Sequence, residues 1–272
     1  DVGNRAVLVF GAEGRFRRNI PIGLSSLPVG RTLAGHPRGG VVSLAMGNPA
    51  NRGARALRDE VILWYPDRGG APSPLVVLSS GSDARIGSAP PPVFSPTPEF
   101  AMLSTGSLAL ADQASYRIKI IGPDGRIQRV LTRAISPRRV TEADRRLERE
   151  RQAAELAPGR LTIVGARSGT LPPSVHAGIA KQMENAGFAS VMPVIQRLSI
   201  DAAGNLWVER SGPAAGRSGP IDIITPAGRY LGTVDGVRNP WAFSAGGRMA
   251  HVETDGDGVQ RVVVVRMNRV PR

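Results

Sequence analysis

The 272-residue chain contains no cysteine, only two lysines (Lys119 and Lys181) and few aromatic residues, 4% of the total. Lack of cysteine excludes disulfides, thiolate metal sites and a cysteine nucleophile. Long apolar runs are also missing. Runs of β type stay short, as in LVVL at 75–78 and VVVV at 262–265, and a membrane-spanning helix needs roughly 18 residues. No GxSxG elbow, GxxxxGK phosphate loop or GxGxxG dinucleotide fingerprint occurs. The three histidines, His36, His176 and His251, form no HxxxH or HExxH pair, and fall in a Gly/Pro loop, a helical stretch and a strand. Structural or surface roles are expected for all three. Asp255-Gly256-Asp257-Gly258 lacks the further ligands of a calcium loop and reads as a turn. No cofactor and no metal site are expected.

What the chain does have is glycine (33), proline (23) and arginine, which supplies 33 of its 35 basic residues. At 41% apolar and 21% charged it can bury a sizeable core. Apolar residues come in runs of four to six, separated by Gly, Pro, Asp and Asn, which is the strand-and-turn pattern. One unit recurs at 6–20, 118–131 and 221–234, and more loosely at 61–78. Each copy is a strand, a tight turn and a second strand. The turn glycines Gly14, Gly69, Gly125 and Gly228 supply the positive φ such turns require. A second hairpin unit lies at 39–46, 100–112, 197–210 and 241–253. Joined, the two make four antiparallel strands, A to D. The turn glycines are 55, 56 and 103 residues apart, and the long interval contains an insertion at 136–193. Such spacing belongs to a β-propeller blade. The expected fold is all-β: half a blade, three full blades and three further strands over residues 1–272, with 136–193 as a helical insertion between two blades.

The insertion predicts two helices. In 137–156 Thr141 is the N-cap, Glu142 and Asp144 are first-turn acids, and Ala143, Leu147 and Ala154 form a thin apolar face on a mostly solvated helix. In 174–187 the stripe Val175, Ile179, Met183 and Ala186 is stronger, with Ser174 as cap and Gly187 as stop. Trp207, in a B strand, is expected to pack between blades.

Gly204-Asn205-Leu206-Trp207-Val208 and the Tyr116-Arg117-Ile118 to Gly122-Pro123-Asp124-Gly125-Arg126 stretch resemble the NHL-type blade of six-bladed propellers. Together with the helical stretch they are similar to a group of bacterial six-bladed propeller proteins of NHL or TolB-like type. The resemblance covers 95–270 well and 1–90 loosely. It implies a ring of six blades, of which this chain would be an N-terminally incomplete copy. It also implies an exported protein, periplasmic or extracellular. It supplies no catalytic motif.

Alternating strands place the A-B and C-D turns at one end of each blade and the B-C and D-A connections at the other. The second end is elaborated, by 47–59, 211–219, 253–260 and the insertion, and elaborated loops on a rigid scaffold are where binding lives. Arg52, Arg55, Arg58, Arg138, Arg139, Arg210 and Arg217 collect there as the candidate binding cluster. Guanidinium forks suit an anionic small molecule or an acidic protein surface. The +13 charge has a second reading in GC-rich codon usage, because Arg is spread along the whole chain. Specific nucleic-acid recognition is not expected: aromatics are scarce and no recognition motif occurs. The leading expectation is a non-catalytic binding module. The alternative is a metal-dependent propeller hydrolase of the lactonase kind, with Glu99, Asp112, Asn205 or Asn239 as scattered candidate ligands.

Overall fold

The computed structural model describes residues 6–11, 13–22, 27–46, 60–79, 91–155, 173–244, 246–254 and 260–266. They form two units, Asp1–Pro91 with Arg151–Ala186 and Pro92–Glu150 with Gly187–Arg272. All strand pairing inside the sheets is antiparallel between sequence neighbours.

In the first unit, β1 (Ala6–Phe10) and β2 (Phe16–Pro21) form a hairpin. The strands β3 (Leu27–Gly35), β4 (Val41–Met46), β5 (Glu60–Tyr65) and β6 (Ser73–Ser79) form a four-stranded meander. Ile20 of the hairpin packs with Ala45, Val61, Leu63 and Tyr65 of the meander. Arg18 on β2 donates to both carboxylate oxygens of Asp67, at 3.0 and 2.5 Å. His36 lies in the β3–β4 turn, buried and stacked on Trp64 at 4.5 Å, and serves packing there. The helix α2 (Pro173–Asn185) begins one residue before its expected cap. Of its expected stripe Met183 is half-buried, and the Val175 and Ile179 side chains, like that of His176, lie outside the described residues.

Among the described residues, the second unit holds three sheets. β7 (Glu99–Met102), β8 (Leu108–Asp112), β9 (Arg117–Ile121) and β10 (Ile127–Thr132) form one four-stranded blade. β11 (Ile195–Ile200), β12 (Leu206–Ser211), β13 (Ser218–Ile224) and β14 (Tyr230–Val234) form the next. β15 (Ala242–Ser244), β16 (Arg248–Thr254) and β17 (Gln260–Arg266) make a three-stranded sheet. The first strand of the middle blade neighbours the first strands on either side, β11 against β7 and β15. First strands sit beside one another in this way along the inner edge of packed propeller blades.

Period-two alternation explains the packing. Leu206 and Val208 point to the β7 blade and join Ala109, Ala111, Ile118 and Leu198 in one core. Trp207, between them, points the other way with Ile221 and Ile223, toward Phe243 and Met249. Its ring lies 5.0 Å from Phe243, and its indole N–H donates to Asp201 Oδ2 at 3.1 Å. A blade buried on both faces thus satisfies both phases of its alternation.

Six hairpin turns in the two units repeat one geometry: 11–15, 36–40, 103–107, 122–126, 201–205 and 225–229. The first residue's N–H donates to the carbonyl four residues on, and the fourth residue's N–H donates back to the first carbonyl, all at 2.8–3.1 Å. The fourth residue is always glycine, with φ between 76° and 87°. These are A-B and C-D turns, so they gather at one end of each blade and the B-C and D-A connections at the other.

The helix α1 (Glu142–Glu155) corrects one expectation. Ala143, Leu147 and Ala154 are exposed, and the face that docks carries Asp144 and Glu148, at 1% and 8% exposure. Hydrogen bonding, not apolar burial, seats this helix.

Truncating Trp207 would open the contact between the middle blade and the β15 sheet. Trp207→Ala is expected to cost about 3–5 kcal/mol in urea unfolding, and an unchanged midpoint would show that the two sheets do not share this core.

Candidate loop-face site

At the elaborated end of the second unit, backbone and side-chain bonds stitch the connections into one surface. Gln113, in the β8–β9 loop, accepts at its backbone carbonyl from Val194 N–H (2.6 Å) and at Oε1 from Thr97 N–H (2.6 Å). Ser211 N–H donates to Val194 (3.0 Å), and Ser211 Oγ donates to the Pro193 carbonyl. Met192 N–H donates to the Arg138 carbonyl at 2.7 Å, and Val140 N–H to the Ser190 carbonyl at 3.0 Å. The β8–β9 and β12–β13 loops and the start of the insertion therefore lie together on one face.

Asp144 is the hub of that face. Thr141 and Asp144 form a reciprocal cap: Asp144 N–H donates to Thr141 Oγ1 (3.2 Å), and the Thr141 N–H and hydroxyl donate to Asp144 Oδ2 (2.8 and 2.7 Å). Arg138 donates to both carboxylate oxygens at 2.6 and 3.0 Å, and Ala215 N–H, from the β12–β13 loop, adds a bond at 2.9 Å. The Arg138 guanidinium, with the Thr141 and Ala215 donors, holds this carboxyl well below the usual carboxylate range despite its burial.

A second buried carboxylate lies at the contact between the β7 and β11 blades. Asp222 on β13 is fully buried. Its Oδ2 meets Arg133 at 2.5 Å and Arg210 at 3.3 Å, and its Oδ1 accepts from Thr233 Oγ1 at 2.5 Å. The Arg133 guanidinium lies over the Tyr230 ring, 4.4 Å from its centroid, and at 5.6 Å from that of Tyr116. Burial and the neighbouring Asp222 push the Tyr116 phenol far above its ordinary value.

The expected arginine cluster thus divides. Arg138 and Arg210 are held by Asp144 and Asp222. Arg139 and Arg217 are exposed on the same face, without a carboxylate partner among the described residues. Arg52, Arg55 and Arg58 lie outside the described residues, as does the Asp255–Gly258 turn. The alternative metal candidates occupy both ends of the blades. Asn205 is in the tight β11–β12 turn bonded to Asp201, whereas Glu99, Asp112 and Asn239 lie toward the loop face. They do not gather in one place, and no group of three or more His, Asp or Glu suited to a metal occurs among the described residues. No helix among those residues is long and apolar enough to cross a membrane.

No protein-family model matches the chain, and no curated protein sequence matches it. Solved structures align over 98% of it. A Bacteroides caccae protein of unknown function is 11% identical, with 70% of that chain covered and a TM-score of 0.37. Virginiamycin B lyase from Staphylococcus aureus is 12% identical, with 65% covered and a TM-score of 0.37. A streptogramin B lyase is 11% identical, with 63% covered and a TM-score of 0.35. The chain spans just under two thirds of the length of the two lyases. Likeness this distant carries no inference about activity, and the blade description rests on the strand pairing above.

Sequence reading missed Asp222, Asp144 as an anchor, and a polar patch between the β11 blade and the β15 sheet. There Glu209 on β12 is raised by burial, against the opposing effects of Arg197, the Gly219 N–H and Arg238. His251 on β16 is lowered by burial and, in smaller measure, by Arg238, with Glu253 acting the other way. Strand alternation was the available signal, since Glu209 shares the phase of Trp207.

Asp144 has a depressed folded-state pKa, so its contribution is present above its unfolded value near pH 4 and is lost as pH falls through the folded one. Asp144→Asn is expected to lower stability at neutral pH by about 3 kcal/mol. In denaturant melts the gap to wild type should narrow below about pH 4; a gap constant with pH would contradict the assignment.

Proposed function

We propose that this protein is a non-catalytic propeller-type binding module whose ligand-bearing surface is the loop face of the second unit. The observation that carries the reading is the stitching of that face. Asp144 and Gln113 lock five chain segments, at 97, 113, 138–144, 194 and 215, into a fixed surface, and the exposed Arg139 and Arg217 stand on it unspent. Rigid placement spares a ligand the cost of ordering loops. Exposed guanidiniums favour a carboxylate-bearing ligand or an acidic protein surface, with affinity that falls as salt screens it.

A polyglutamate peptide is a direct probe. In hydrogen–deuterium exchange, protection is expected at 113–116, 133–141, 190–194 and 212–217, and not at the tight turns 103–107, 122–126, 201–205 and 225–229. Protection confined to the turn end would overturn the reading. Arg139→Gln with Arg217→Gln should weaken binding several-fold at low salt and change little at high salt.

We further propose that the chain is part of a six-bladed NHL-type ring, with 136–193 inserted between two of its blades. The repeat spacing and the strand order support this: a two-stranded sheet, three four-stranded sheets and a three-stranded one among the described residues. Electron-microscopy class averages of a longer protein that contains this chain should show six blades around one axis, and any other number would refute it.

A further inference from the structure

Between the β11 blade and the β15 sheet, the Trp207–Phe243–Met249 core is capped on the loop-face side by polar groups. Arg197 and Glu209 are cross-strand partners on β11 and β12, two residues beyond Ser199 and Trp207 toward that face. His251 and Glu253 follow Met249 in the same phase on β16. The β14–β15 connection adds Arg238, Asn239 and Trp241. The Trp241 ring is half exposed, with the Arg197 guanidinium 4.0 Å from its centroid.

Two buried atoms in this patch have no hydrogen-bond partner. Asn239 is 2% exposed; its Oδ1 accepts from Ser199 Oγ, and its Nδ2 donates to nothing. His251 Nδ1 is likewise buried without a partner. An orphaned buried polar group is costly, because its lost hydrogen bond to water is not replaced. The amide can only donate through Nδ2, so the group missing from the patch is an acceptor. Arg238, the residue before Asn239 on the same connection, is exposed and supplies a cation there.

We propose that this patch is a binding site for a small planar carboxylate. Its oxygens accept from Asn239 Nδ2 and Arg238, and its flat body lies on the open side of the Trp241 ring. The proposal rests on the loop face being the binding face, but on residues other than Arg139 and Arg217. It carries a proton linkage. His251 is faced by Arg238 from the connection and by Glu253 on its own strand, which pairs with Arg261 of β17. Burial and Arg238 favour the neutral imidazole, and a bound anion favours the imidazolium. Binding therefore takes up a proton and tightens as pH falls.

The test titrates benzoate, with benzamide as its neutral counterpart, into the full chain, followed by calorimetry and tryptophan fluorescence at about pH 6 and about pH 7.5. Benzoate should bind and benzamide should not, with affinity rising at the lower pH by no more than about tenfold per unit. Arg238→Gln should lose binding. His251→Gln should keep binding but lose its pH dependence, and Arg126→Gln, on the tight-turn end, should change nothing. Equal binding of benzoate and benzamide, or unchanged affinity in Arg238→Gln, would overturn the proposal. So would displacement of benzoate by inorganic phosphate at lower concentration. Absence of benzoate binding with polyglutamate protection intact would sink this site while leaving the loop-face reading standing.

Discussion

The second unit depends on one buried carboxylate. Asp222 lies where β13 presses against the β7 blade, and it is matched there by Arg133 from that blade and Arg210 from its own. An isolated charge at such a depth would be prohibitively costly. The two guanidiniums make it tolerable and tie the blades at a defined register. A pair of this kind adds little net stability over an apolar contact of the same volume. What it adds is position: a slip of β13 by one residue would swap Asp222 with Ile221 or Ile223 and put the charge against the Trp207 core.

Position at Asp222 propagates to the loop face through two short stretches of chain. Arg133 is five residues before Arg138, and Arg210 is five residues before Ala215. Both second members bind Asp144. The two carboxylates, the two chain segments and the cap of α1 thus form a closed circuit. This explains how a helix with exposed Leu147 and Ala154 can be seated at all. It also explains why net charge was a poor guide to a partner. Arginines that appear in sequence as a basic cluster are, at Arg138 and Arg210, neutralised from within the fold.

The blade architecture was legible because its requirements are local. A turn whose fourth residue needs positive φ admits glycine, and strands buried on both faces read as apolar runs between such turns. Gly125 and Gly228 could therefore be placed from spacing alone. The N-cap of α1 was legible for the same reason, since Thr141 and Asp144 satisfy one another within a single turn. The docking face of α1 was not, because apolar periodicity names Ala143 and Leu147 while the partners that bury Asp144 come from Arg138 and from Ala215, 71 residues away. Asp222 was hidden inside the run IDII, where only the alternation of faces separates it from the isoleucines on either side.

The two surfaces of the middle blade follow one plan with different outcomes. Each is apolar toward the tight turns and polar toward the loop face. On the β7 side the polar layer gathers on Asp222, which meets two guanidiniums and the Thr233 hydroxyl, with the Tyr116 hydroxyl buried nearby without a hydrogen bond. On the β15 side the layer holds Arg197, Glu209, Arg238 and His251, yet buried Asn239 Nδ2 and His251 Nδ1 are left unpaired. The difference between the faces is one of charge: the β7 side gathers its polar groups on a carboxylate, whereas the β15 side holds a buried amide donor with no acceptor against it.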